Sequence, residues 1–296
     1  MSREIRVGSR GSALAVRQAE IVMAAIRKAD PGLCPKLITI ATAGDKTSAP
    51  LQNIGGKGLF VREVEAALVA REIDIAVHSY KDMPVEESPD LPIVALSPRT
   101  APFDVLVLPA GCDRLIPGKP IGTASRRRAI QWESLCPRFP VTPLRGNVPT
   151  RLAKLDAGGY AGIIVAEAGL RRLSLEGRIS HVFTAREMIP AASQGIIAVQ
   201  GRTGEDYAYL AGFHSRASET ISLAERAFLR ALNADCSAPV AAYGEIQNGA
   251  LRLTGLYANT YGRSVTDEIS GETADARRLG ETLATQRLER LAETCE

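Results

Sequence analysis

At 296 residues the chain exceeds the usual size of a single hydrophobic core, which predicts two or three domains. Its 45% hydrophobic and 23% charged residues match an ordinary globular protein and exclude a disordered one. A formal net charge of +3 is too small to imply a nucleic-acid partner, and no segment approaches the ~20 apolar residues of a membrane span.

The first strand is expected at Ile5–Val7, followed by an amphipathic helix over Ser12–Lys28 and a strand at Leu37–Ala41. A helix near Leu59–Arg71 and strands at Ile73–Val77 and Ile93–Leu96 continue the series. Strand, helix, strand at this spacing reads as βαβ units with mainly parallel sheets. The proline-rich join Pro98-Arg-Thr-Ala-Pro102 suits a hinge between two α/β lobes. Beyond it come Val105–Leu108, Ile121–Gly122, a helix from about Arg126 and a buried strand at Gly162–Ala166. Ile196–Val199, after Pro190-Ala-Ala-Ser-Gln-Gly195, can extend either sheet. A helix around Ser218–Asn233, strands at Ala241–Tyr243 and Glu245–Leu253, and a helix over Ala274–Ala292 predict a small α+β third domain. Within it, Asn248-Gly249 is a strong hairpin signal.

Five cysteines (Cys34, Cys112, Cys136, Cys236, Cys295) are scattered without a C-x-x-C pair, which argues against a disulfide framework or a structural zinc. The three histidines, His78, His181 and His214, are too far apart for a local metal motif, so no metal is expected. Met1-Ser-Arg-Glu-Ile-Arg6 runs straight into a strand-like segment without the apolar stretch of a signal peptide, which predicts a cytoplasmic location.

Charge is unevenly placed. Between Thr123 and Arg178 lie ten of the 36 Lys and Arg residues against four acids, so this stretch carries +6 and the rest of the chain −3. Arg126–Arg128, Arg145, Arg151 and Arg171-Arg172 dominate it. Guanidinium is a planar fork that matches carboxylate or phosphate, and a concentrated set suits a partner with several anionic groups. Taken singly, each arginine also reads as part of a solvated basic face. Thr123-Ala-Ser125 opens a helix whose free N–H groups attract anions, and Arg127 and Arg128 fall in its first turn, where cations oppose the dipole. That placement suggests a compensating ligand.

Three further segments carry candidate chemistry. Gly55-Gly-Lys-Gly58 before Leu59-Phe60 is a glycine-rich loop of no phosphate-binding type, readable as a lid or a simple turn. His78-Ser-Tyr-Lys-Asp-Met-Pro84 ends an apolar strand, and ligand crevices of open α/β sheets lie beyond strand carboxyl ends. Asp82 is placed there to stabilise a developing cation or share a proton; a plain pairing with Lys81 or the capping of a turn is the alternative. Cys236 follows a helix in a loop of small residues, where a thiolate can hold a covalent group or lie inert.

Together, Arg10-Gly-Ser12, Gly55–Phe60, His78–Pro84, Gly122-Thr-Ala-Ser-Arg-Arg-Arg128, Arg145-Gly-Asn-Val-Pro-Thr-Arg151 and Ala168-Gly-Leu-Arg-Arg-Leu173 resemble, in order and over nearly the whole chain, the hydroxymethylbilane synthase family, also called porphobilinogen deaminases. The resemblance implies two α/β lobes like those of the periplasmic binding proteins plus a small C-terminal α+β domain. It divides the chain into 1–96 with 195–214, 99–191, and 217–296. It implies a transferase of heme and tetrapyrrole biosynthesis that condenses four porphobilinogen molecules, with loss of ammonia, onto a dipyrromethane cofactor joined by a thioether to Cys236, and then releases hydroxymethylbilane by hydrolysis. Lys81, Asp82, Thr123, Ser125, Arg127 and Arg128 are the implied cofactor-binding residues, with Asp82 catalytic. Arg10, Ser12, Phe60, Arg145, Arg151, Arg172 and Gln194 are the implied substrate-binding residues, Gln194 lining the cleft between lobes and Phe60 the flap. Porphobilinogen is the implied partner of a monomer that binds neither nucleic acid nor membrane.

Overall fold

The computed structural model describes residues 3–42, 61–234, 239–258 and 264–293. They fall into two compact units, Met1–Thr100 with Ile196–Glu219 and Ala101–Gly195 with Thr220–Glu296.

In the first unit β1 (Arg3–Arg10) connects through α1 (Ala13–Ala29) to β2 (Leu33–Ile40), which pairs with it in parallel. The reasons for α1 are local. The Ser12 side chain accepts from Ala15 N at its start, Gln18, Ala19, Val22, Met23 and Ile26 recur at helical spacing on the buried side, and Arg27 and Lys28 face the negative end of the helix dipole. β2 begins at Leu33 rather than Leu37 because its ladder follows β1 over the full length, from Arg3↔Leu33 to Arg10↔Ile40. α2 (Arg62–Val69), β3 (Ile75–Ser79) and β4 (Ile93–Leu96) complete this segment. Ile5, Val7, Val22, Ile26, Ile75 and Val77 form its core.

The second unit contains β5 (Asp104–Val107), β6 (Ile121–Gly122), α3 (Arg126–Leu135), β7 (Val141–Thr142), α4 (Val148–Lys154), β8 (Gly162–Ala166), α5 (Glu167–Arg172) and β9 (His181–Val182). The chain then returns to the first unit as β10 (Ile197–Gln200). That settles the strand which could have joined either sheet: β10 lies antiparallel between β3 and β4.

The two sheets share one topology. Their orders are β2-β1-β3-β10-β4 and β7-β6-β8-β5-β9, and in each the fourth strand runs against its neighbours. Mainly parallel sheets are therefore present with one reversed strand apiece, in two lobes of the kind the resemblance implies. The carboxyl ends of the parallel strands bring the connecting loops of each lobe to one edge of its sheet, where polar side chains can converge.

The remaining segment is α+β. α6 (Arg216–Ala231) is followed by the antiparallel sheet β11 (Val240–Gln247), β12 (Ala250–Ala258) and β13 (Ser264–Glu272), and by α7 (Ala276–Glu293). The hairpin expected at Asn248-Gly249 is there, with φ of 51° and 81° as a two-residue primed turn demands. β13 was not anticipated. It is an edge strand alternating between exposed and half-buried positions, and its acids Asp267, Glu268 and Glu272 leave almost no apolar period to read. Gly280 lets α7 approach α6: a Cβ there would meet the Ala224 carbonyl oxygen and lie 2.8 Å from Phe228 N.

Candidate functional site

The first unit gathers four elements of the sequence motifs into one pocket. Arg10 ends β1, Ser12 caps α1, His78 and Ser79 end β3, and Asp82 closes the 3-10 turn Tyr80–Asp82; with Gln18 they line a cavity of about 80 Å³. β1 and β3 are adjacent and parallel, so Arg10 and His78 leave the same edge of the sheet. The Gln18 amide donates to Ser79 Oγ at 2.8 Å and fixes one wall. Asp82 is exposed, and among the described residues its carboxylate carries no hydrogen bond or ion pair, so the simple pairing with Lys81 is not formed. Lys81, beside it, is half-buried. Burial pushes the His78 imidazole down to about 4, which makes it neutral at neutral pH.

The second unit collects the arginines. Thr123 follows β6, its Oγ1 accepting from Ser125 N at 3.2 Å, and Ser125 caps α3 by accepting from Arg128 N at 3.5 Å. Arg126 is exposed, whereas Arg127 and Arg128 are only 5% and 6% exposed and both turn inward onto Asp104. Arg127 Nη1 donates to Asp104 Oδ2 at 2.7 Å and to Ile189 O, while Arg128 donates to Oδ1 through Nε at 3.0 Å and Nη2 at 2.7 Å. The compensation expected of a ligand at the first turn of α3 is thus supplied in part by the protein. One carboxylate faces two guanidiniums, and a single positive charge remains over. Nε and Nη2 of Arg127 make no hydrogen bond among the described residues.

Arg145 and Arg151 flank the start of α4, which Asn147 caps by accepting from Thr150 N at 2.9 Å. Arg151 Nε donates to Gly146 O at 2.8 Å; Gly146 has φ of 120°, a conformation open to glycine. In the pair Arg171-Arg172 only the second turns inward. Arg171 is exposed and bonds Glu167 at 2.7 Å, whereas Arg172 Nη2 donates to Gly195 O at 2.7 Å and burial lowers its pKa to about 10. Gln194, expected to line the cleft between lobes, is 1% exposed; its amide donates to Pro102 O at 2.8 Å and to Asp104 Oδ1 at 3.0 Å. Phe60, the Gly55–Gly58 loop and Cys236 lie outside the described residues.

Asp104 is the residue of this cluster that sequence reasoning missed. Its only signal was a lone acid opening the apolar run Val105–Leu108, and its partners are 23 and 24 residues away. Burial alone would raise its carboxyl pKa, but the charges of Arg127 and Arg128 and their hydrogen bonds outweigh it and hold the group well below the usual range. Asp104→Asn is expected to lower unfolding free energy at neutral pH by about 3 kcal/mol, because it leaves two buried guanidiniums without a counter-charge. A depressed folded-state pKa stabilises fully above the unfolded value of roughly 4 and progressively less as pH falls toward the folded one. Urea titrations at neutral pH and near pH 3 should therefore show the gap between variant and wild type narrowing in acid; equal stability at neutral pH would exclude this role for Asp104.

Among the described residues no group of three or more His, Cys, Asp or Glu could hold a metal ion, and no helix is long and apolar enough to cross a membrane.

Comparison with known proteins gives two family matches. Residues 5–209 match the model described as porphobilinogen deaminase, dipyromethane cofactor binding domain, and residues 220–289 match the porphobilinogen deaminase C-terminal domain. A porphobilinogen deaminase of Ruminiclostridium josui is 51% identical over 280 residues, covering 94% of this chain and 95% of that one. One from Alkaliphilus oremlandii is 50% identical over 284 residues, 96% of each. Among solved structures, the second substrate binding domain of a putative amino acid ABC transporter from Streptococcus pneumoniae aligns with a TM-score of 0.42 and 14% identity, over 78% of this chain and 95% of that one.

Proposed function

The chain belongs to the porphobilinogen deaminase family, and on that premise we propose that Asp82 is its catalytic carboxylate and its inward-turned arginines are the carboxylate holders. The family's reaction is that of a transferase: four porphobilinogen molecules are joined head to tail, each losing ammonia, and hydroxymethylbilane is released by hydrolysis. The cofactor, dipyrromethane, supplies when bound the pyrrole end from which the product is built.

The observation that carries the catalytic reading is the pocket of the first unit, where an exposed, uncommitted Asp82 shares its lining with Arg10 and Ser12. Loss of ammonia from an aminomethylpyrrole leaves positive charge on the ring, and a fixed carboxylate stabilises that charge and accepts from the pyrrole N–H. Arg10 and Ser12 would hold a substrate carboxylate, and Phe60 would cover the site.

The arginine cluster fits a cofactor bearing several carboxylates. Asp104 offsets only one of two buried guanidiniums, Arg127 keeps donors uncommitted, and Thr123 and Ser125 place hydroxyls beside them. With Lys81 these residues would hold the cofactor, and Cys236 would carry its thioether. Arg145, Arg151 and Arg172 would hold substrate and product carboxylates, and Gln194 would act on the same site. Arg172→Ala is expected to raise KM for porphobilinogen about tenfold with a smaller change in kcat, since it removes binding made equally in ground and transition states. Steady-state kinetics check this, and an unchanged KM would remove Arg172 from the substrate site.

Three domains, 1–96 with 195–214, 99–191 and 217–296, organise this machinery; the change of compact unit after Thr100 and after Gly195 supports the first two boundaries. The protein would work as a cytoplasmic monomer without a nucleic-acid partner. Exposed free thiols at Cys34 and Cys112 suit a reducing compartment. Among the described residues the exposed large apolar side chains Val69, Leu135, Val182 and Leu223 sit singly on four different elements, which supports a monomer. Of the arginines that would attract a polyanion, Arg127, Arg128, Arg151 and Arg172 are buried or bonded to the protein's own groups.

A further inference from the structure

Glu225, on α6, is fully buried, and its carboxylate oxygens accept from the backbone N–H of Ser193 at 2.6 Å and of Gly244 at 2.7 Å. Ser193 has φ of 61°, a left-handed conformation that a residue with a side chain keeps only when its surroundings hold it there. Its own hydroxyl does not: Ser193 Oγ is buried and has no hydrogen-bond partner among the described residues. Gly195 follows at φ of 90°, so the turn is left-handed at both ends. Between them, Gln194 reaches Asp104, and the Gly195 carbonyl receives Arg172. Asp104 in turn bonds Arg127 and Arg128. The anchor in the third domain therefore leads, through one strained turn, to three of the arginines.

We propose that Glu225 is a positioning residue for the carboxylate-binding arginines: it pins the left-handed turn at 193–195, from which Gln194 aligns Asp104 with Arg127 and Arg128, and Gly195 aligns Arg172. A carboxylate suits this task because its two oxygens accept from two backbone donors. A glutamine would turn an NH2 group toward one of them and leave that N–H without an acceptor. A loosened turn misplaces binding groups, so the effect falls on KM more than on kcat. The proposal rests on the reading of these arginines as carboxylate holders.

The test uses the cofactor-loaded enzyme and two readouts, steady-state kinetics and amide hydrogen exchange of the peptide spanning Ser193. Glu225→Gln is expected to speed exchange there and to raise KM for porphobilinogen about fivefold to tenfold, with kcat changed less than about threefold. Gln194→Ala, which breaks the next link while leaving Glu225 in place, is expected to raise KM similarly without faster exchange at Ser193. Because both act through one path, the double variant should show no more than the larger single effect. Additive KM effects, or exchange at Ser193 unchanged in Glu225→Gln, would overturn the relay. Should Glu225→Gln not fold, Gln194→Ala decides alone, and an unchanged KM overturns it. Arg172→Ala separates the two readings. If it raises KM and Gln194→Ala does not, only the relay falls; if Arg172→Ala leaves KM unchanged, the arginine reading falls first.

Discussion

Cys236→Ser is expected to yield a protein with the mass of the bare sequence and no measurable turnover, whereas the wild-type chain should carry an excess equal to one dipyrromethane group. The reason is nucleophilicity. A thiolate forms a thioether readily near neutral pH, but a serine hydroxyl without a base beside it is a far weaker nucleophile. The described residues before Cys236 are held in place. Two residues beyond α6, Asn233 is left-handed with φ of 49°, and Asn233 N and Ala234 N bond back to Arg230 O and Leu229 O. Serine at 236 should therefore leave the domain folded and remove only the attachment. Intact-mass spectrometry and an activity assay on the same preparation read both effects. A fully active wild-type protein without added mass would defeat the assignment of Cys236.

Asp82→Asn is expected to lower kcat by roughly a hundredfold to a thousandfold, the scale of losing one fixed charge-stabilising group from a transition state. The substitution keeps size and one acceptor oxygen but removes the negative charge. Because Asp82 is exposed and its carboxylate holds no other described residue, melting temperature should stay close to wild type. KM should change much less than kcat, since a charge that develops only during loss of ammonia adds little to ground-state binding. Near-normal turnover would exclude Asp82 as the catalytic carboxylate. Together with the Arg172 result, this separates chemistry in the first unit from binding in the second.

Local signals account for much of the fold. A cap and a 3.6-residue period at Ser12–Ala29 suffice for α1, and two residues that tolerate positive φ suffice for the turn at Asn248-Gly249. Where the signal is not local, reading fails or stays open. Ile196–Val199 is apolar on both sides, and only the antiparallel ladders to β3 and β4 show which sheet it joins. β13 is invisible because an edge strand needs no apolar alternation beyond what β12 supplies. α4 spans only Val148–Lys154, too short for an apolar period to show, so its local signal is the cap at Asn147.

By itself, the sequence determined the succession of elements, the order of the motifs and the concentration of guanidinium between Thr123 and Arg178. It could not apportion those charges. Arg126, Arg127 and Arg128 are chemically identical in sequence, yet one faces solvent and two are buried on Asp104. Likewise Arg171 bonds an acid one helical turn away, while its neighbour Arg172 points at Gly195. Pairing and burial depend on distance in space and on the loss of surrounding water, and neither quantity is written along the chain. Tertiary structure alone decided which guanidiniums answer to the protein's own carboxylates and which do not.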